Sequence, residues 1–418
     1  MQAKSSIYDC VVIGAGPAGL TAATLLAQYG RRVVVLEKES FPRFRVGESM
    51  IPYNYFPLER IGMIERLKAS SFPHKYSVQF VRQDGTQSQP FYFDQHMNHL
   101  AAQTWQVTRS VFDNMLMENA REKGVEVVER IIVRELIEEG GRVVGVLAED
   151  ESGRARSFRG AITIDGSGRA RLAMTRLGWR ELDRSIYKIA VWGYFRGAMR
   201  DPGKDAGATT ITYVEGKNWF WYIPLQDDMV SVGIVGSRDY LMGRTNDLET
   251  IFNDGVRKNV WIQDHLKSGS INHQNYMVNA HISYRSRYCA KDGLVLVGDA
   301  LSFLDPVFST GLFLALSSGE LAGDAVEEAL KAGDVTAKRF TDYGEIMCRR
   351  IEILRQLVHA FYAEKFSFKD IVMKYPDLQG KITDVLIGNV DQDFSQLSAA
   401  MSEFLELPAP IVHGRTMV

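Results

Sequence analysis

Residues 7–13 are apolar and mostly β-branched and run into Gly14, a pattern that predicts a buried strand. Pro17 and Gly30 bracket a helical stretch over 17–29, and 32–37 (RVVVLE) reads as a second buried strand ending in Glu37. Helical spacing follows at about 54–69 and 109–123. Residues 125–135 and 141–149 read as paired strands turning at Gly140-Gly141, and 161–165 as another buried strand. From 186 to 236 the chain alternates aromatic and β-branched residues, broken at Glu215-Gly216-Lys217-Asn218 and at Asp227-Asp228, which predicts an antiparallel sheet. A buried strand returns at 293–299, then helices at about 311–331 and 337–362 and a mostly helical C-terminal region.

A strand–turn–helix–strand opening followed by an aromatic sheet predicts an α/β fold in which a Rossmann-like domain is interleaved with an antiparallel β-sheet domain and followed by a helical region. The expected boundaries are 1–80, 100–180 and 285–335 for the first domain, 81–99 and 181–284 for the second, and 336–418 for the third. A chain of 418 residues is long enough for two or three such units.

Composition narrows the function. A formal charge of -2 with no basic stripe excludes a nucleic-acid-binding surface of the usual kind. Cys10, Cys289 and Cys348 are too few and too scattered for a disulfide framework, which points to a cytoplasmic protein. The histidines and cysteines show no zinc-ligand spacing, so no metal is expected. The most apolar stretch, 294–317, contains Asp299, Asp305 and Pro306, so no membrane span is expected.

Gly14-Ala15-Gly16-Pro17-Ala18-Gly19 matches G-x-G-x-x-G between a strand and a helix, with Glu37 closing the next strand. Glycines there let the backbone approach a pyrophosphate, and Glu37 suits ribose hydroxyls. The pattern alone fits FAD or NAD. Asp165-Gly166-Ser167-Gly168-Arg169 and Gly298-Asp299-Ala300 each follow a buried strand; with the fingerprint, in this order, they resemble the flavoprotein monooxygenase superfamily. No second fingerprint follows, so no separate nicotinamide domain is expected.

Three further segments resemble the flavin-dependent halogenases. They are Phe41-Pro42-Arg43-Phe44-Arg45-Val46-Gly47-Glu48-Ser49, Trp219-Phe220-Trp221-Tyr222-Ile223-Pro224 (W-x-W-x-I-P), and Asp305-Pro306-Val307-Phe308-Ser309-Thr310-Gly311. The last resembles the branch acting on phenols and pyrroles. The resemblance implies FAD, used as FADH2 from a separate reductase, with chloride or bromide and O2. It implies a flavin hydroperoxide that yields hypohalous acid, which a lysine directs onto an aromatic substrate. Lys75 stands where the family has its catalytic lysine; read alone, it is an ordinary surface charge.

The same likeness assigns Gly14, Ala15, Gly16, Ala18, Gly19, Glu37, Arg43, Glu48, Ser49, Arg109, Asp299 and Leu312 to the cofactor, and Thr310 and Gly311 to the halide. Trp219, Trp221 and Phe308 become the wall between flavin and substrate. Arg109 also suits a plain i,i+4 pair with Asp113, and Ser309 or Thr310 a plain helix cap. Arg45 departs from the histidine common in relatives. Phe308 replaces the glutamate of tryptophan halogenases, so the substrate should activate itself, as a phenol or pyrrole does. Whether it is free or tethered to an acyl or peptidyl carrier protein stays open at this level. An aromatic hydroxylase, a geranylgeranyl-reductase-like enzyme and a flavin-bound module without turnover are the alternative readings.

Overall fold

The computed structural model describes residues 7–272, 275–364, 366–409 and 414–417. Its first sheet has a parallel centre. Strand Ile7–Ile13 lies between Val33–Leu36 and Ala155–Asp165, with Glu126–Val128 and Leu294–Leu296 outside them. Where these strands are apolar without alternation, at Cys10–Ile13, Val33–Leu36 and Leu294–Leu296, both faces of the sheet are covered: helix Pro17–Gln28 lies on one, and the hairpin of Ile131–Glu139 and Arg142–Asp150 on the other. Helix Pro17–Gln28 packs against helix Gly311–Lys331 so closely that a Cβ at Gly319 would lie 2.3 Å from the Ala18 carbonyl oxygen.

The second sheet carries the aromatic alternation. Strands Met277–Ser286, Arg180–Arg196, Met229–Gly236, Trp219–Pro224 and Thr209–Tyr213 run antiparallel in that order. Alternation sends Trp219 and Trp221 to the main core and Phe220 and Tyr222 to a second core under helices Leu248–Val256 and Val260–Leu266.

The structure departs from the sequence pattern in four places. The helix expected over 54–69 is two helices, Tyr55–Arg60 and Ile64–Lys68, separated at Gly62 with φ +78°. The strand expected over 125–135 is also two, Glu126–Val128 and Ile131–Glu139, divided where Arg130 takes φ 56°. The second sheet is not wholly antiparallel: Ser77–Val81 joins it parallel to Thr209–Tyr213, ahead of the expected 81–99 segment. The C-terminal region is helical from Thr341–Tyr362 to Ser395–Ser402, but Arg415–Thr416 returns as a strand. It fills the hydrogen-bonding edge left open by Tyr288–Lys291.

Among the described residues no helix is long and apolar enough to cross a membrane. Among them, too, no group of three or more His, Cys, Asp or Glu side chains is placed to hold a metal ion.

Candidate active site

The glycine turn at the carboxyl end of Ile7–Ile13 has three different glycines. Gly14 takes φ +90°, and a Cβ there would lie 2.5 Å from the Gly166 carbonyl oxygen. At Gly19 a Cβ would lie 2.2 Å from the Gly14 oxygen, so the helix sits directly on the turn. At Gly16 a Cβ would meet nothing within 4 Å, and no side chain caps the helix that starts at Pro17. Open space over uncapped N–H groups suits a pyrophosphate. Ala15 and Ala18 are buried in this turn.

Around it the polar groups form one network. Glu37 accepts from the Ala15 amide at 2.9 Å. Arg43 donates to the Ala15 carbonyl at 2.9 Å and to Asp113 at 2.9 Å. Arg109 grips Asp113 through Nε and Nη2, at 2.8 and 3.0 Å, and reaches the Val46 carbonyl at 2.9 Å. The i,i+4 pair read from sequence therefore exists, and the same guanidinium also holds the 41–49 segment.

Asp299 is partly exposed, and burial still raises its carboxyl to about 6. Asp165, by contrast, accepts from the Ser167 and Ala173 amides at 2.9 and 2.8 Å, so its segment builds the turn. An open glycine cradle, an acidic strand end and a late carboxylate fit a dinucleotide such as FAD.

Lys75 lies on the short strand His74–Lys75, paired with Thr104–Trp105. It is only 1 % exposed. Its ammonium donates to Ser49 Oγ at 2.8 Å and to the Met50 carbonyl at 2.9 Å, leaving the third N–H without a partner among the described residues. Ser49 Oγ in turn lies 2.8 Å from Thr209 Oγ1, which accepts from Gln106 Nε2 at 2.8 Å. Ser49, expected beside the cofactor, thus has its hydroxyl on the lysine. Burial without a carboxylate partner lowers Lys75 to about 7.

Next to it Glu48 is buried and raised by that burial to about 7, with Tyr194 donating to its Oε1 at 2.5 Å. Neither Gln106, Thr209 nor Tyr194 belongs to a motif; only the fold brings them here.

The Lys75 shift carries a stability prediction. A lysine whose folded pKa lies below its unfolded value of 10.5 destabilises the fold fully below about 7, and the penalty fades as pH rises from about 7 to 10.5. Lys75→Met should therefore raise the melting temperature more at about pH 6.5 than at about pH 9.5. Equal shifts at both, by differential scanning fluorimetry, would mean that the lysine is hydrated.

The 305–311 segment forms a tight turn. Asp305 caps the Pro306–Phe308 turn by accepting from the Val307 amide at 3.1 Å, Ser309 takes φ 58°, and helix Gly311–Lys331 starts after Thr310. No side chain caps that helix, so the plain capping role for Ser309 or Thr310 is not realised. Thr310 is 2 % exposed, Leu312 is buried, and a Cβ at Gly311 would meet nothing within 4 Å. Uncapped N–H groups facing open space suit a small anion.

The aromatic wall stands beside this turn. Trp221 lies 6.3 Å from both Trp192 and Trp219 and donates to Ser231 at 3.1 Å. Phe308 meets Phe361 edge-on at 5.7 Å, so the end of helix Thr341–Tyr362 joins the wall. No sequence motif marked Phe361 or its neighbour Tyr362.

Comparison with known proteins gives the family. A family model described as tryptophan halogenase matches residues 9–104 and 92–368. The 1H-pyrrole-2-carbonyl-[peptidyl-carrier protein] brominase of Pseudoalteromonas luteoviolacea is 31% identical over 388 residues, 91% of this chain and 92% of that protein. The tryptophan 2-halogenase of Chondromyces crocatus is 32% identical over 87% of this chain and 69% of that protein. The solved structure of the flavin-dependent brominase Bmp2 superposes with a TM-score of 0.86 at 28% identity, covering 95% of this chain and 98% of that one. FAD, a halide and O2 are the working set of such enzymes, and the chain belongs to their family: it is a flavin-dependent halogenase, an oxidoreductase acting on aromatic substrates.

Proposed function

We propose that the enzyme places chlorine or bromine on a pyrrole or phenol ring tethered to a carrier protein, with Lys75 presenting the halogen. The single observation that supports this most is a buried lysine with no carboxylate partner, its ammonium on Ser49 Oγ and the Met50 carbonyl and 5.6 Å from the Phe93 ring centroid. Likeness over nine-tenths of both chains to a brominase named for a carrier-bound pyrrole supports the tether.

Bound FADH2 would supply the two electrons that turn O2 and halide into hypohalous acid and water. The Gly14–Gly19 turn, Glu37, Arg43, Arg109 and Asp299 would hold it on the parallel sheet. Thr310 and Gly311 would hold the halide in the open space before helix Gly311–Lys331.

Trp219, Trp221 and Phe308 would keep the ring from the flavin, so that only a small diffusible oxidant crosses. Lys75 would donate its third N–H to that oxidant and orient it toward the ring carbon. Ser49, locked by Thr209 and Gln106, would keep the ammonium aimed. The electrons would come from a separate reductase, since the chain shows one dinucleotide fingerprint.

Two measurements test this reading. Pyrrole-2-carboxylate and the same acid loaded on a carrier protein, compared at equal concentration, should differ strongly in favour of the loaded form. Equal rates would remove the tether. In stopped flow, NADPH alone should leave the bound flavin oxidised; rapid bleaching would favour the hydroxylase alternative.

A further inference from the structure

We propose that Tyr362 is a positioning residue for the halide turn, a phenol that joins Asp305 to Trp219 and so holds the turn against the W-x-W-x-I-P strand. The proposal rests on Thr310 and Gly311 being the halide site.

Tyr362 is the last residue of helix Thr341–Tyr362. Its hydroxyl donates to Asp305 Oδ1 at 3.0 Å and accepts from Trp219 Nε1 at 2.9 Å. That order is forced while Asp305 is ionised, because an indole only donates and a carboxylate only accepts. Three elements far apart in sequence therefore meet at one oxygen atom.

Asp305 depends on that bond. It is 0% exposed; Oδ1 has the Val307 amide and Tyr362, while Oδ2 has no partner. A buried carboxylate so sparsely bonded is sensitive to the loss of either donor. Lys188 Nζ, 4.3 Å from the Tyr362 ring centroid, is the cation that faces this group. Asp305 sets the Pro306–Phe308 turn, and that turn delivers Thr310 and Gly311 to the helix start.

The helix end does not need the hydroxyl to stay in place. Phe361 stacks on Tyr213 at 5.7 Å and meets Trp219 at 6.2 Å and Phe308 at 5.7 Å. Tyr362→Phe therefore removes two hydrogen bonds and leaves the ring packing. Gly311→Ala fills the open space at the helix start without meeting any atom within 4 Å.

The experiment measures KM for bromide, KM for FADH2, kcat and melting temperature in the wild type, Tyr362→Phe, Trp219→Phe and Gly311→Ala. Tyr362→Phe should raise the bromide KM about tenfold, as expected when a hydrogen bond to a charged group is lost. The KM for FADH2 should not change. Gly311→Ala should raise the bromide KM as well. A lower melting temperature with unchanged bromide KM in Tyr362→Phe, beside a raised one in Gly311→Ala, would overturn the positioning role and leave the halide turn standing. An unchanged bromide KM in Gly311→Ala would overturn the halide turn and the proposal together. Should Tyr362→Phe not fold, Trp219→Phe decides: it removes the donor to the Tyr362 oxygen together with part of the indole's packing on Trp221 and Phe361, and an unchanged bromide KM there overturns the proposal.

Discussion

Lys75→Ala should lower halogenation by about 10³-fold, the middle of the range for a positioned proton-donating group, while FADH2 is still oxidised at the normal rate. The effect is large because, in the proposed mechanism, Lys75 acts on the oxidant after the flavin has reacted, and the shift of its ammonium comes from burial with no charged neighbour. The variant should release hypohalous acid, which a scavenging dye detects in solution. Substitution should not expose a charge, because removing a buried ammonium also removes its desolvation penalty. A variant that halogenates within about tenfold of the wild type would show that the lysine does not present the halogen. One that loses FAD as well would make its role structural.

The second large effect concerns Phe308. Tryptophan should be a poor substrate, by about 10²–10⁴-fold against a pyrrole or phenol, because an indole ring needs a base to take its proton and a phenylalanine offers none. A phenolate or pyrrole pushes electron density into its own ring and has no such need. The relatives act on both kinds of substrate by name, so family likeness alone does not decide. The surroundings of Phe308 do bear on it: the ring is packed by Phe361 and Phe368, and the nearby Asp305 is already held by Tyr362 and the Val307 amide. Phe308→Glu should not speed phenol turnover and should raise the halide KM, since a carboxylate beside the turn repels the anion. Rates on tryptophan and on phenolic and pyrrolic acids, measured side by side, check both statements. Efficient tryptophan halogenation by the wild type would contradict them.

The parts of the site that were legible in the sequence are those that rest on local backbone. Gly14, Gly16 and Gly19 could be read because a turn between strand and helix demands them at that spacing, and in the structure Gly14 and Gly19 sit against backbone while Gly16 faces open space. The two faces of Trp219–Pro224 were legible for the same reason, since alternation on a strand needs no partner to be seen. Lys75 was legible only through its place among motifs. Its burial, which gives it an unusual proton affinity, comes from Thr104–Trp105 and Phe93, which no pattern near it announces.

Groups that meet through space stayed hidden. Gln106, Thr209 and Ser49 form one chain of hydrogen bonds through space, and the family resemblance, which assigns Ser49 to the cofactor, does not announce that chain. Phe361 and Tyr362 lie in an ordinary amphipathic helix, whose pattern reports only that one face is buried and not which atoms it meets. The pattern over 54–69 reads as one helix because Gly62 is tolerated in a helical pattern, whereas in the structure it takes φ +78° and breaks it.

The central claim is that the enzyme makes and delivers a halogen electrophile. Product mass after incubation with FADH2 from an added reductase, O2, bromide or chloride, and a carrier-loaded pyrrole or phenol acid tests it most directly. A gain of about 34 mass units with chloride or about 78 with bromide, lost in Lys75→Ala, is the predicted result. A gain of about 16 without halogen, a change of about 2, or no change at all in the wild type would contradict it.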